Sequence, residues 1–229
     1  MNNRILAIIP ARGGSKRIPK KNIKPFFGRE IITYPIDAAV KSSMFEKVIV
    51  STDCDEIKNV ALVSGAEVPF LRSDTNSDDF ATTFDVIKEV LSKVEGKYDY
   101  VCCIYPTSVF VTPEILASAC HELVNDVTAT SIASVLQYSH PIQRSLTINA
   151  KYLVSNHPDF YNCRSQDLEA NYHDAGQFYI CKTEAVLEEE RLITNCCIPH
   201  LLRENHAQDI DTLEDWSIAE LKYQLMVSR

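Results

Sequence analysis

A chain of 229 residues with 45% hydrophobic content can bury one substantial core, and its apolar runs are far too short to cross a bilayer. A net charge of −8 argues against a nucleic-acid binder, which needs a continuous basic track. Eight cysteines without CxxC spacing make zinc an unexpected ligand and read as small core residues of a reduced cytoplasmic protein with no signal peptide.

Leu6, Ala7, Ile8 and Ile9 form an unbroken apolar run of strand length, as expected of a strand buried on both faces. Pro10 ends it. From Arg12 to Lys24 there are six cations (Arg12, Lys16, Arg17, Lys20, Lys21, Lys24) and no acid. Gly13 and Gly14 permit close approach and are expected to leave amide N–H groups free to face an anion. Without those six cations the chain carries 17 Lys and Arg against 31 Asp and Glu. One positive loop on an acidic body points to a small polyanion, and each cation–phosphate pair at ~4 Å is worth roughly 4 kcal/mol before desolvation. The spacing matches neither a Walker A loop nor a GxGxxG fingerprint.

The elements that follow alternate. Ile32, Ile36, Ala39 and Val40 recur at helical spacing, and Val48–Val50 reads as a second buried strand ending in Ser51-Thr52-Asp53. Asp53 or Asp55 is expected to cap a helix over 56–64 that stops at Gly65. This βαβα opening predicts a largely parallel sheet with ligand sites at the carboxyl ends of its strands. Val68–Leu71 reads as a short strand delivering Arg72. Thr82 or Thr83 stands at the start of a helix with Phe84, Ile87, Val90, Leu91 and Val94 inward. Tyr100–Tyr105 is another central strand running into Pro106-Thr107-Ser108, and Thr112-Pro113 opens a helix.

Residues 127–136 read as a long strand. Over 138–172 the periodicity breaks, with short strands expected near 145–148 and 152–155, and this stretch reads as an excursion within a single domain spanning 1–229. His173 to Tyr179 returns to the core, Cys196–Leu202 is the last strand, and a closing helix carries Leu213, Trp216, Ala219 and Tyr223. Between these two, Asp209 and Asp211 lie two apart in an extended stretch, so both carboxylates project to one side. Asp211 or Thr212 also qualifies as a cap, but a carboxylate pair together with phosphate suits Mg²⁺.

The run Arg12-Gly13-Gly14-Ser15-Lys16 followed by Lys21-Asn22, directly after a first strand ending in proline, resembles the CMP-sugar synthetases, cytidylyltransferases that activate nine-carbon acidic sugars. The resemblance implies an α/β fold of the nucleotide-diphospho-sugar transferase type, with a mostly parallel sheet flanked by helices and a small dimerisation excursion. It implies CTP as donor, Mg²⁺ at Asp209 and Asp211, and a homodimer supplying sugars for surface glycans or flagellin. Nucleotide contacts fall at Ala11, Arg12, Gly13, Gly14, Ser15, Lys21, Asn22, Arg72, Ala81 and Thr83, and catalytic roles at Arg12, Lys16, Lys21 and Asp211.

Where sialic acid members carry Gln-Pro-Thr-Ser-Pro-Leu-Arg, this chain has Tyr105-Pro106-Thr107-Ser108-Val109-Phe110-Val111, and with Arg164–Glu169 and His173–Tyr179 it resembles the branch acting on pseudaminic acid. Sugar contacts are then implied at Tyr105, Thr107, Ser108, Arg164, His173, Asp174 and Gln177, with Arg144 and Arg164 reaching a carboxylate in trans. Tyr105 as a packed strand-end aromatic and His173 as a structural histidine stay open, as do N-acetylneuraminic, legionaminic and eight-carbon substrates, a non-catalytic nucleotide binder, and the identity of the base.

Overall fold

The structure, a computed structural model, describes residues 3–228. In chain order it contains β1 (Ile5–Pro10), β2 (Pro25–Phe26), β3 (Arg29–Glu30), α1 (Thr33–Ser42), β4 (Lys47–Ser51), α2 (Asp55–Val63), α3 (Thr83–Lys93), β5 (Tyr100–Ile104), α4 (Pro113–Asn125) and β6 (Ser131–Gln137). It continues with β7 (Leu146–Asn149), β8 (Tyr152–Ser155), β9 (Tyr172–Lys182), α5 (Thr183–Glu189), β10 (Cys197–Leu201) and α6 (Leu213–Val227), with single 3-10 turns between.

An apolar run without polar positions must be covered on both faces. Alternate residues of β1 accordingly enter different cores: Ile5, Ala7 and Ile9 pack with α1, α2 and α4, while Leu6 and Ile8 pack with α3 and Val186 of α5. Cys102 and Cys103 of β5 divide the same way. The six-stranded sheet has the order β10-β6-β9-β5-β1-β4. β4 and β5 run parallel to β1, β10 runs parallel to β6, and β9 lies antiparallel between β5 and β6. The sheet is therefore mostly parallel and flanked by helices on both sides.

A third cluster binds distant segments at the carboxyl end of β1. Ile18 from the basic loop, Phe26 and Ile31 from the β2–β3 ribbon, Val109 and Phe110 after β5, Ile210, and Trp216 of α6 are buried together. Phe26 packs edge-on against Trp216 with ring centroids 5.6 Å apart. Apolar burial here draws residue 210 to residue 18.

Several local expectations change. Val68–Leu71 is no strand: pairing stops at an isolated bridge from Glu67 to Ile49, because Pro69 has no N–H to continue a ladder. Residues 126–129 precede β6 instead of extending it, since Asp126 Oδ1 accepts from Thr128 N and Ala129 N in a side-chain turn. α2 is capped by neither Asp53 nor Asp55; Cys54 is the N-cap residue, with no side-chain bond. Thr82 caps α3 and Thr212 caps α6, each in a reciprocal capping box with the aspartate at N3. α5 has no counterpart in the sequence reading. Thr112 and Pro113 begin α4 as expected.

Candidate active site

The loop leaving β1 is built from its backbone outward. Ala11 is fully buried, and its N–H donates to Ser51 O at 2.9 Å. Gly13 N–H donates to Asp53 Oδ1 at 2.7 Å, and a Cβ on Gly13 would stand 2.9 Å from Cys54 Cβ. Gly13 is thus a close-approach glycine whose amide is already used, which corrects the expectation that both glycine amides stay free. Ser15 N–H likewise turns back to Gly13 O at 3.0 Å, whereas a Cβ on Gly14 would meet nothing within 4 Å. Asn22, buried at the loop's end, donates from Nδ2 to Arg12 O at 2.9 Å, and its Oδ1 has no partner among the described residues.

The loop cations close on two aspartates. Arg12 Nη1 meets Asp79 Oδ1 at 2.9 Å, and Lys16 Nζ pairs with Asp79 Oδ2. Lys16, then Arg12, hold the Asp79 carboxyl below its usual range. Arg17 Nη1 reaches Asp211 Oδ2 at 3.1 Å, and Lys21 Nζ donates to Ile210 O at 2.7 Å and to Asp211 Oδ1 at 3.3 Å. The basic loop and the acidic pair, nearly 190 positions apart in the chain, therefore occupy one place.

Ile210 is fully buried between Asp209 and Asp211, so the alternation expected of an extended stretch holds. Asp209 is open to solvent on one side and flanked by protein on the other. Desolvation first, then the charge of Asp211, raises its pKa, and among the described residues no hydrogen bond reaches its carboxylate. No group of three His, Cys, Asp or Glu side chains able to hold a metal occurs among the described residues. An unpartnered carboxylate beside a second one nonetheless fits a Mg²⁺ ion that takes its other oxygens from phosphate and water.

A pocket of about 240 Å³ adjoins the loop, lined by Arg12, Arg72, Asn76, Asp78, Asp79, Ala81, Thr83 and Tyr105 among others. Arg72 is buried, donates from Nε to Ser51 Oγ at 3.0 Å and from Nη2 to Ser51 O, and has its pKa lowered chiefly by desolvation. A second pocket of about 330 Å³ shares Thr83 and Tyr105 and adds Asp174, Tyr179, Arg191 and Ile193. Tyr105 OH lies 3.2 Å from Thr83 Oγ1, its ring packs edge-on against Tyr179, and Tyr179 OH donates to Asp174 Oδ2 at 2.5 Å. Burial raises the pKa of both phenols.

Other expected sugar contacts are placed differently. Ser108 is fully buried with its hydroxyl donated to Gln177 O, Thr107 is buried, and Gln177 is only 1% exposed. His173 packs tilted against Tyr138, with ring centroids 4.9 Å apart. Arg164 pairs with Asp167 and Arg144 donates to Ser165 Oγ, so neither bonds to the loop or the acidic pair within this chain. Sequence reasoning missed Asp53, Asp79 and Arg191 as site residues; Asp53 appeared only as a possible cap, and the loop partners of Asp53 and Asp79 lie 40 and more positions away. The larger hollow, about 780 Å³ and lined by Asn3, Gly96, Tyr98 and Lys182, opens at the amino-terminal end of β1 and β5, away from these groups.

A mostly parallel sheet with a basic loop and an acidic pair at the carboxyl end of its first strand defines an α/β nucleotidyltransferase architecture. Two solved structures share the fold at 14% identity each: a CMP:2-keto-3-deoxy-manno-octonic acid synthetase complexed with CTP, at a TM-score of 0.72 over 99% of this chain and 100% of that one, and a 4-diphosphocytidyl-2C-methyl-D-erythritol synthase from Anaerococcus prevotii, at 0.66 over 98% and 100%. The chain belongs to the cytidylyltransferase family, whose model matches residues 6–204. A pseudaminic acid cytidylyltransferase of Campylobacter jejuni is 39% identical over 96% of each chain. A CMP-N,N'-diacetyllegionaminic acid synthase of Legionella pneumophila is 33% identical over 97% of each, and N-acylneuraminate cytidylyltransferase A of Danio rerio is 36% identical over 94% of this chain and 50% of its own.

Proposed function

We propose that this enzyme transfers CMP from CTP to the anomeric hydroxyl of a nine-carbon 2-keto acid sugar, pseudaminic acid before its relatives, and releases pyrophosphate. The observation that carries the reading is the junction of Lys21 with Ile210 and Asp211, joined by Arg17 on the same carboxylate, which brings the basic loop against the acidic pair. The substrate follows the similarity to the Campylobacter jejuni enzyme and the aromatic Tyr105–Tyr179 wall of the second pocket.

The attacking hydroxyl gives up its proton to a general base and its oxygen forms a bond to the α-phosphorus while the bond to the β-phosphate bridging oxygen breaks, and charge grows on the departing oxygens. Arg12, Lys16 and Lys21 hold and stabilise the leaving pyrophosphate. Ser15 and the loop backbone orient the chain of phosphates, and Asn22 braces the loop by donating from Nδ2 to Arg12 O. Arg72, Ala81 and Thr83 surround the nucleoside. Tyr105 and Asp174 border the sugar. Asp209 and Asp211 would hold Mg²⁺, which when bound neutralises charge on the α-phosphate.

In this reading two copies associate through residues 138–172, the excursion of a single domain, and Arg144 and Arg164 serve the partner's sugar carboxylate, a role suited to the guanidinium fork. No helix among the described residues is long and apolar enough to cross a membrane, and the eight unpaired cysteines support a cytoplasmic setting. The product would feed surface glycans or flagellin.

Pyrophosphate release from purified protein with Mg²⁺, CTP or UTP, and a panel of nine- and eight-carbon keto acids tests the assignment. Turnover with CTP and pseudaminic acid is expected. Turnover confined to UTP, or to an eight-carbon acid, would overturn it.

A further inference from the structure

Gln177 sits where β9 departs from regular pairing. The register with β6 shifts between Ala133 and Val135, and Ser134 Oγ accepts from both Gln177 N at 3.3 Å and Phe178 N at 3.1 Å. Such bulges beside sites re-aim side chains. The Gln177 carbonyl receives Tyr105 N at 3.0 Å and Ser108 Oγ at 2.8 Å. Its side-chain amide, turned inward, donates to Ala175 O at 3.0 Å, Gly176 O at 3.2 Å and Gln208 O at 3.2 Å. Its Oε1 is buried with no partner among the described residues, which leaves its desolvation uncompensated. An apolar side chain would avoid that cost, so the amide is retained for what its N–H groups hold.

What they hold is one end of the acidic loop. Gln208 O is fixed by Gln177 Nε2, and Ile210 O is fixed by Lys21 Nζ at 2.7 Å. Asp209 is strung between these two anchored carbonyls. Its own carboxylate has no hydrogen bond among the described residues to aim it, so the placement of its backbone sets the origin from which its rotamers project. The adjacent Gly176, at φ +60°, carries no side chain toward it; a Cβ there would lie 3.6 Å from Asp209 Cγ.

We propose that Gln177 is a positioning residue that aims the Asp209 carboxylate through the Gln208 carbonyl, and that it does not contact the sugar. The inference rests on Asp209 being a metal ligand, as in the reading above.

The test uses Gln177→Met, which keeps the volume and removes the donor, and Gln177→Asn, whose shorter amide still serves its own strand but falls short of Gln208. Mn²⁺ binding is measured by electron paramagnetic resonance with CTP present, alongside kcat and the two KM values. Each variant that folds is expected to bind Mn²⁺ roughly 10- to 100-fold more weakly and to lose kcat, with KM for the keto acid within about twofold of the unsubstituted protein. Asn serves where Met does not fold. Unchanged Mn²⁺ affinity with a raised keto-acid KM would overturn the proposal and return Gln177 to the sugar site; unchanged values throughout would overturn it too. If the unsubstituted protein bound no Mn²⁺ with CTP, the metal reading itself would fall, and this inference with it.

Discussion

Lys21 does two jobs with one ammonium. Its side chain is 21% exposed, and its Nζ both faces the proposed pyrophosphate position and ties down the acidic loop. Lys21→Ala is therefore expected to lower kcat roughly 10²- to 10³-fold, the scale of losing one preorganised electrostatic contact, while circular dichroism stays unchanged. Near-normal pyrophosphate release would remove the loop from the mechanism. The two glycines give a sharper contrast. Gly13→Ala forces a Cβ to 2.9 Å from Cys54 Cβ, whereas Gly14→Ala enters open space. Thermal melts should show Gly13→Ala less stable by about 1–3 kcal/mol with a raised KM for CTP, and Gly14→Ala close to the parent. Equal melts would sink the close-approach account. The motif made the loop legible, because cations without acids leave few other uses. It did not reveal that Asp53 and Asp79 hold the loop, since nothing local marks an aspartate as the partner of a residue 40 or 67 positions away.

Among the elements, β1, β4 and β5 were legible because burial on both faces leaves runs with no polar position to misread. The stretch after Glu67 was not, since its apolar residues serve packing while Pro69 prevents pairing. α5 escaped because only Val186 of its seven residues is buried, which leaves no periodic stripe. The segment between α2 and α3, which lines the smaller pocket beside the basic loop, is held by Glu89 of α3. That buried carboxylate accepts from Ser73 N at 3.1 Å, Asn76 Nδ2 at 2.9 Å and Lys93 Nζ at 2.6 Å. Burial opposes its charge, but these donors outweigh it and lower the pKa from 4.5 to about 2. A depressed folded pKa stabilises above the unfolded value, so this contribution is full above about pH 4.5 and is lost as pH falls toward 2. Glu89→Gln should cost roughly 2–3 kcal/mol in denaturant unfolding at pH 7, with the gap from the parent shrinking below pH 4.5. A gap constant with pH would contradict the charge-based account.

At the scale of the whole molecule, the β7–β8 ribbon is the part a single chain leaves unfinished. Its register pairs Ile148 with Leu153 and places Leu146 on their face, while Tyr152 and Val154 take the other. Ile148 is 72% exposed, Leu153 67% and Tyr152 66%, so both faces of a two-stranded ribbon stand in water, an arrangement that is marginal alone. The break in periodicity over 138–172 marked where the core pattern stops, but it did not say what would cover the apolar ribbon found there. In the proposed dimer a second copy would, and Arg144 and Arg164, which bond only within the ribbon's own region, would then gain a ligand. Ile148→Glu combined with Leu153→Glu places two like charges opposite each other on that face, which an apolar interface cannot accommodate. Light scattering should show the parent as a dimer and the double variant as a monomer that melts cooperatively. If the ribbon also completes the partner's site, the monomer's KM for the keto acid should rise at least tenfold while CTP binding, whose proposed contacts all lie within one chain and outside the ribbon, stays near the parent value. A monomeric parent, or a monomeric variant with undiminished affinity for the acid, would leave the ribbon without a part in the reaction.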